Sequence, residues 1–363
     1  MGALRRKLTR AGLPGLLVTF LPDVRYLCGF TGSSAALGVT RRRARLFTDG
    51  RYTTQAAAEV RAAEVQIVGG SPAVAAVQWL AAQAGLAAEP GVATAGFDAA
   101  RTTVAELKRW KQELPSRLKR VFLVETPAPF VEQLRMVKDE DELALMAEAA
   151  LMGCRLFEEM LGYLRPGVAE VDVAAELEHR ARLLGAEGMS FETIVASGER
   201  SALPHGRATL ARLPRRGFVT MDFGIILKGY CSDMTRTVYL GKPRSEERRA
   251  YESVLEAQEN AVAAVAPGIS CAEVDEAARG ILRREGLGEA FSHSTGHGVG
   301  LEIHEPPRVG VEQRMRLEPG MVITIEPGIY LAGRFGIRIE DMVAVTRSGG
   351  QVLTPAPKAL IEL

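Results

Sequence analysis

Along the first 128 residues, short apolar runs of strand length alternate with longer amphipathic stretches. The runs at 15–20 (GLLVTF), 35–40 (AALGVT), 44–48 (ARLFT), 65–68 (VQIV) and 121–124 (VFLV) predict strands. The stretches 73–84 and 102–113 predict helices. This is the pattern of an α/β domain, and the Pro-rich break Thr126-Pro127-Ala128-Pro129 ends it. The region holds no histidine. Two of its stretches, 26–34 (YLCGFTGSS) and 48–52 (TDGRY), are unusual. They read either as turns in which glycine supplies a positive φ, or as a surface bordering a substrate cleft or a subunit contact.

Past the break a helix is predicted from near Lys138 to Tyr163, with Asp139, Glu140, Asp141 and Glu142 where the helix dipole favours acids. A second long amphipathic helix is predicted over 246–265. Each is followed by Pro-Gly, an Ala-Glu-Val-Asp motif and a shorter helix: Pro166-Gly167 ending near Gly185, then Pro267-Gly268 ending near Gly286. A single repeat about 100 residues apart is no solenoid. It predicts two similar α+β halves around a pseudo-twofold with a shared central sheet, unless it is only ordinary Pro-Gly helix entry.

The strand pattern then breaks its own rule. Asp222 and Asp233 interrupt apolar strand sequence on either side of Lys228-Gly229. A hairpin pairing them directly has its midpoint between 227 and 228 and sets the carboxylates roughly 5 Å apart at Cβ. Glu326 and Glu340 repeat this around Gly333, in the strand-like runs 322–330 and 336–343. Like charges this close are destabilising unless a cation lies between them. The bland alternative for the second pair is surface glutamates, or an ion pair with Arg338. Between the hairpins, three of the chain's five histidines (His293, His297, His304) fall within twelve residues. His297 and His304 are an odd number of residues apart, so one straight strand cannot aim both at one point. Four carboxylates and one imidazole suit two hard or borderline divalent cations rather than a cysteine-rich structural zinc site. Two such ions are a common clamp for hydrolysis. No GxSxG, Walker A or HExxH motif competes for the active site.

Composition narrows the class. The 363 residues are 47% hydrophobic and 25% charged, ordinary for a globular protein, with room for two domains. A net charge of +1 leaves no polyanion footprint, so no nucleic acid partner is expected. Four scattered cysteines with no CxxC read as reduced thiols of a cytoplasmic protein. No signal peptide is expected, because Pro14 and Gly15 interrupt the one apolar stretch near the N-terminus. No run approaches membrane-spanning length, so no membrane partner is expected either.

The order Asp222, Asp233, His297, Glu326, Glu340, in the contexts MDFG, SDMTRT, GHGVGLEIHE, TIEPGIY and GIRIED, resembles the pita-bread metallopeptidases. RYLCGFTGSS and LFTDGRY are similar to the N-terminal domain of the aminopeptidase P (Xaa-Pro aminopeptidase) and prolidase (Xaa-Pro dipeptidase) branch. The resemblance implies an α+β fold: a small creatinase-like N-terminal α/β domain (1–128) and a pseudo-twofold pita-bread catalytic domain (129–363). It implies two divalent ions, Mn²⁺ first, with Co²⁺ or Zn²⁺ as substitutes. Asp222 would bind one ion bidentately, Asp233 and Glu340 would bridge both, and His297 and Glu326 would complete the second.

The implied reaction is hydrolysis of the N-terminal Xaa-Pro bond by a metal-bridging hydroxide, with Glu326 as the proton shuttle. His205 and His304 would act on the tetrahedral intermediate and the scissile carbonyl. His293, His304, Arg338 and Tyr330 would bind substrate. Aminopeptidase P-like action on peptides with proline second is the leading expectation. A prolidase restricted to dipeptides is the alternative, and a catalytically inactive binding protein a remote one. A homodimer is expected.

Overall fold

The computed structural model describes residues 1–83 and 94–363. It divides into two compact units, Met1–Arg135 and Met136–Leu363. In the first, six strands form one sheet: β1 (Gly15–Val18), β2 (Ala35–Thr40), β3 (Ala44–Asp49), β4 (Glu64–Val68), β5 (Ala95–Phe97) and β6 (Leu123–Glu125). The order is β4-β3-β2-β1-β5-β6. Strands β1, β2 and β3 run antiparallel, while β4, β5 and β6 join parallel to their neighbours. Parallel joins need crossovers, and helices Thr53–Glu59 and Val104–Gln112 lie in two of them.

The helix expected over 102–113 starts at Val104 because Thr103 caps it: its hydroxyl accepts from Glu106 N while the Glu106 carboxylate accepts from Thr103 N. The helix expected over 73–84 is Pro72–Gln83, and its expected last residue lies outside the described residues. The last strand begins two residues later than the apolar run suggests, because Val121 N and Phe122 N both donate back to Leu118 O in a turn. Helices Gly2–Arg10 and Leu21–Cys28, and strand β5, are additions to the predicted pattern. Leu21–Cys28 ends at Gly29 with φ 83°, where glycine avoids the Cβ penalty.

In the second unit the strands are β7 (Gly188–Met189), β8 (Ile194–Ser197), β9 (Gly217–Phe223), β10 (Ile225–Leu227), β11 (Tyr230–Cys231), β12 (Met234–Leu240), β13 (Gly296–Gly298), β14 (Glu305–Val309), β15 (Val322–Ile325), β16 (Gly328–Leu331), β17 (Phe335–Arg338), β18 (Asp341–Thr346) and β19 (Gly349–Val352). Two larger sheets, β12-β9-β8 and β14-β13-β15-β18-β19, carry the two halves. One core packs on helices Glu140–Leu161 and Glu170–Leu183, and another on Ser245–Ala264 and Cys271–Arg284. The repeat is real in outline. Glu170–Leu183 and Cys271–Arg284 are both 14 residues long. Each is entered after a positive-φ glycine (Gly167, Gly268) and left before another (Gly185, Gly286).

The hairpin arithmetic meets one correction. Strand β9 pairs with β12 so that Asp222 faces Thr235, not Asp233. The tip pairs Leu227 with Tyr230, so the midpoint lies between Lys228 and Gly229. Both of these residues take positive φ, 46° and 80°, and form a two-residue turn. Asp233 falls at the break before β12, displaced by two from the expected position. Two is an even number, so both aspartates stay on one face of the ribbon. The second hairpin keeps the expected midpoint: Ile325 faces Asp341 and Gly328 faces Arg338 around Gly333. Glu326 and Glu340 lie in the gap between these two ladders.

Candidate metal centre

The acids sit where each ribbon interrupts its ladder. Asp222 is the last residue but one of β9, Asp233 precedes β12, Glu326 follows β15 and Glu340 precedes β18. Breaking the ladder frees backbone groups, and other segments take them up, one in the same half and one in the other. Glu326 N donates to Thr295 O at 2.7 Å, and Glu340 N donates to Thr235 O at 3.1 Å. Both hairpins therefore present buried carboxylates toward one point.

His297 comes from β13, where the pairing with β14 shifts register immediately after it. Its Nδ1 lies 3.0 Å from Gly298 O, so the proton sits there and Nε2 is left with its lone pair. Nε2 stands 3.5 Å from Asp233 Oδ2 and 3.4 Å from Glu326 Oε1. One ligand atom each from Asp233, His297 and Glu340 all lie within 4.8 Å of one another. Thr235 donates to Glu340 Oε2 at 2.6 Å, and Thr324 donates to Glu326 Oε1 at 3.2 Å. These two threonines were not singled out from the sequence. The alternation of buried positions around each acid was their only signal.

Electrostatics say the group is incomplete as protein alone. Burial pushes the carboxyls of Asp233 and Glu340 well above the usual carboxylate range, and the neighbouring acids push the same way. Glu326 is pushed up to about 8, chiefly by burial. Burial also lowers the basicity of His297 and His304, and takes His293 down to about 4. Asp222 is held through Oδ2 by Arg338, at 2.5 Å. Its Oδ1 is buried without a hydrogen-bond partner. An orphaned carboxylate oxygen beside three acids that resist ionising, with a neutral imidazole facing them, is a donor set that fits divalent cations.

The remaining residues expected at the site are also here. His205, His293, His304, Tyr330 and Arg338 line one cleft of about 900 Å³ together with Asp222, Asp233, His297, Glu326 and Glu340. The His304 ring meets His297 edge-on, with centroids 4.4 Å apart. Tyr330 Oη lies 2.9 Å from His293 Nε2 and accepts from Arg338 Nη1 at 2.6 Å. Arg338 is buried and also donates to Thr235 Oγ1 and Pro204 O. Further out, Phe191, Ile194, Ile303 and Met315 form apolar wall, with Arg207 and Arg308 among the charged lining.

A match to known families is decisive at this point. Residues 144–347 match Metallopeptidase family M24, and residues 1–137 match the Creatinase/Prolidase N-terminal domain. The chain belongs to metallopeptidase family M24. Among similar proteins is an "Uncharacterized peptidase YqhT" of Bacillus subtilis, 39% identical over 360 residues, 99% of each chain. A solved Xaa-Pro dipeptidase from Bacillus anthracis superposes with a TM-score of 0.92 at 38% identity, covering 99% of this chain and 98% of that one. An X-Pro aminopeptidase from Thermotoga maritima gives 0.88 at 35% identity, covering 99% and 100%. The fold is thus the expected α+β pair, a creatinase-like N-terminal domain followed by an M24 pita-bread domain. Membership in this metallopeptidase family carries divalent metal dependence with it.

Proposed function

We propose that this chain is an Xaa-Pro peptidase that holds two divalent cations on Asp222, Asp233, His297, Glu326 and Glu340. The observation that carries the reading is the four-carboxylate cage with its orphaned Asp222 oxygen, in one cleft with three further histidines. When bound, the cations supply Lewis-acid activation of water and of the scissile carbonyl. Oxygen donors with a single imidazole favour Mn²⁺, with Co²⁺ or Zn²⁺ as substitutes.

The chain's own residues do the rest. Glu326, held at the cleft beside the other acids, takes a proton from the attacking water and returns it to the departing prolyl nitrogen. An Xaa-Pro bond has no N–H, so the site must recognise the ring instead. The linked wall of His293, Tyr330 and Arg338 is rigid enough to do so. His205 and His304 act as donors toward the carbonyl oxygen as charge develops on it.

Aminopeptidase P-like cleavage of longer peptides is the leading form, supported by a cleft at the upper end of the roughly 300–1,000 Å³ usual for ligand sites. Arg308 in the lining favours a second form, a dipeptidase that captures the free proline carboxylate. The four cysteines are free and buried, which suits a reducing cytoplasm, and the working unit is a homodimer. The test is a Mn²⁺-loaded substrate panel of an Xaa-Pro dipeptide, an Xaa-Pro tripeptide and an Xaa-Ala control, with light scattering for the dimer. Cleavage of both proline substrates is the expected result. Cleavage of the dipeptide alone establishes the dipeptidase, and no preference over Xaa-Ala sinks the reading.

A further inference from the structure

The repeated Ala-Glu-Val-Asp motif has no role in the reaction described above. It opens helix Glu170–Leu183 and recurs at the start of Cys271–Arg284. In each copy one acid does ordinary capping work. Asp172 accepts from Ala169 N at 3.4 Å, and Glu273 accepts from Ser270 N at 2.9 Å. The other acid of each motif is buried and bonds a segment outside its own helix. Glu170 is fully buried, and Asp275 is 1% exposed. Both reach a segment that carries a cleft histidine.

Glu170 gathers five donors. Oε1 accepts from Ser197 N at 2.9 Å and Ser197 Oγ at 3.0 Å. Oε2 accepts from Thr209 N at 3.3 Å and Thr209 Oγ1 at 3.0 Å. Arg200 Nε, at 3.0 Å, balances the charge. These contacts clamp both ends of the segment 197–209 to one carboxylate. His205 lies inside that span, and so does Pro204, whose carbonyl accepts from Arg338. Asp275 repeats the device. It accepts from Thr295 N and Thr295 Oγ1 and is forked by Arg279, which also donates to the carbonyls of Phe291 and His293. Thr295 O in turn receives Glu326 N. Clusters in which one ionised acceptor satisfies several backbone and hydroxyl donors hold a segment far more rigidly than neutral bonds do.

We propose that Glu170 is a positioning residue that acts through His205, with Asp275 as its counterpart for the segment carrying His293. The inference rests on the cleft reading given above, in which His205 faces the scissile carbonyl. An error of about 1 Å in a catalytic group costs on the order of 10²-fold, so a clamp on both ends of its segment has kinetic consequences.

The experiment is a double-mutant cycle of Glu170→Gln and His205→Ala on Mn²⁺-loaded protein, read with metal content and hydrogen exchange. Glu170→Gln is expected to lower kcat about 10- to 100-fold with KM and metal content little changed. In the His205→Ala background the same substitution is expected to change kcat by less than about twofold, because groups acting as one unit are not additive. Amides of 197–209 should exchange faster in Glu170→Gln while those of 293–297 do not. Full multiplicative loss in the double variant, or unchanged exchange in 197–209, overturns the proposal. If Glu170→Gln does not fold, Ser197→Ala removes one hydroxyl donor and should show the same pattern at smaller amplitude; its absence there also overturns it. A wild-type protein that fails to cleave Xaa-Pro substrates sinks the functional reading instead, and the exchange result still decides whether the clamp exists.

Discussion

The two carboxylate ribbons solve one problem in two ways. In the Glu326–Glu340 ribbon both acids lie in a gap between consecutive ladders, and the register follows the midpoint at Gly333. In the Asp222–Asp233 ribbon one acid remains in the ladder, opposite Thr235, and only Asp233 occupies the gap. The in-ladder acid is the one neutralised by protein, through the buried Arg338, and Arg338 belongs to the other ribbon. Among the described residues Asp233 and Glu340 form no ion pair with an arginine or lysine, and burial with the neighbouring acids outweighs the charge of Arg338 and pushes both well above the usual carboxylate range. The difference teaches that the acids are not equivalent halves of a symmetric cage. Arg338 anchors one corner, and the opposite pair is left for a metal.

The largest test removes that pair. Asp233→Asn or Glu340→Gln is expected to lower kcat/KM by about 10³-fold or more, since metal activation contributes several kcal/mol to the barrier. The metal-free form of either variant should unfold at a higher temperature than metal-free wild type, because a like-charge neighbour is gone. Metal analysis and calorimetry check both. An active Asp233→Asn variant would break the comparison outright.

A pH series comes next. Glu326 has a folded pKa raised to about 8, so its contribution is fully present below the unfolded value and is lost as pH rises toward 8. His293, lowered to about 4, works oppositely: stability is gained as pH rises from about 4 to its unfolded value near 6.5, and is flat above. Between pH 6.5 and 8 the carboxyls are the groups of the cage whose ionisation still changes. Metal-free protein should therefore lose on the order of 2 kcal/mol across that window. Saturating Mn²⁺ should abolish the loss, because the ions hold the carboxylates ionised throughout. A metal-free protein whose unfolding temperature is level or rising over pH 6.5–8 would contradict the cage electrostatics.

Much of this was legible in the chain. Acids interrupting apolar strand runs, and a tight histidine cluster, already pointed to a metal centre, because burying a charge without a partner is so costly that few other reasons explain it. The strand runs of the first unit were visible for the same reason: apolar runs of strand length have few alternatives. What sequence could not supply was the ladder break. Gly224 and Ser232 approach so closely that a Cβ on Gly224 would stand 1.8 Å from Ser232 O, and nothing local in either residue announces it. Thr235, Thr324 and Glu170 were hidden likewise. Thr235 meets Glu340 only when the two halves fold together, while Thr324 and Glu170 meet His297 and Ser197 across long loops of their own halves. The two Ala-Glu-Val-Asp motifs were visible, but their equivalence was misleading. The capping acid is the third helical residue in each copy, Asp172 in one and Glu273 in the other, so the motifs are two residues out of step in structure.

A smaller effect probes the close approaches on both sides. Gly296, just ahead of His297, would place a Cβ 1.9 Å from Thr324 O, the counterpart of Gly224 against Ser232. The clashing atoms are backbone, so the strands must move apart. Gly224→Ala and Gly296→Ala should each cost about 1–3 kcal/mol, read by denaturant unfolding of metal-free protein. Gly296→Ala should weaken metal binding more than Gly224→Ala, because His297 N and the Thr324 hydroxyl that bonds Glu326 share its strand pair, whereas Gly224 disturbs Asp233 only through Ser232. Equal weakening by both would mean the two ribbons contribute alike.

The smallest effect bears on the register itself. Lys228 holds φ 46° as the first central residue of its turn, a conformation that costs an L-residue about 1–2 kcal/mol. Asparagine tolerates that region, and Asn-Gly is the preferred pair for a two-residue hairpin turn. Lys228→Asn should therefore stabilise the protein by about 0.5 kcal/mol, a rise of about 1–2 °C in the unfolding midpoint for a unit of this size. Lys228 is exposed at the hairpin tip, beyond the Leu227–Tyr230 pair that separates it from the acids, so metal affinity should not change. A hairpin whose midpoint lay between 227 and 228 would instead give Leu227 and Lys228 the central positions and leave Gly229 in the strand. Asparagine at 228 would then precede no glycine inside the turn and gain little. A fall in stability on Lys228→Asn would favour that alternative pairing, in which Asp222 faces Asp233 directly and the two ribbons would after all be alike.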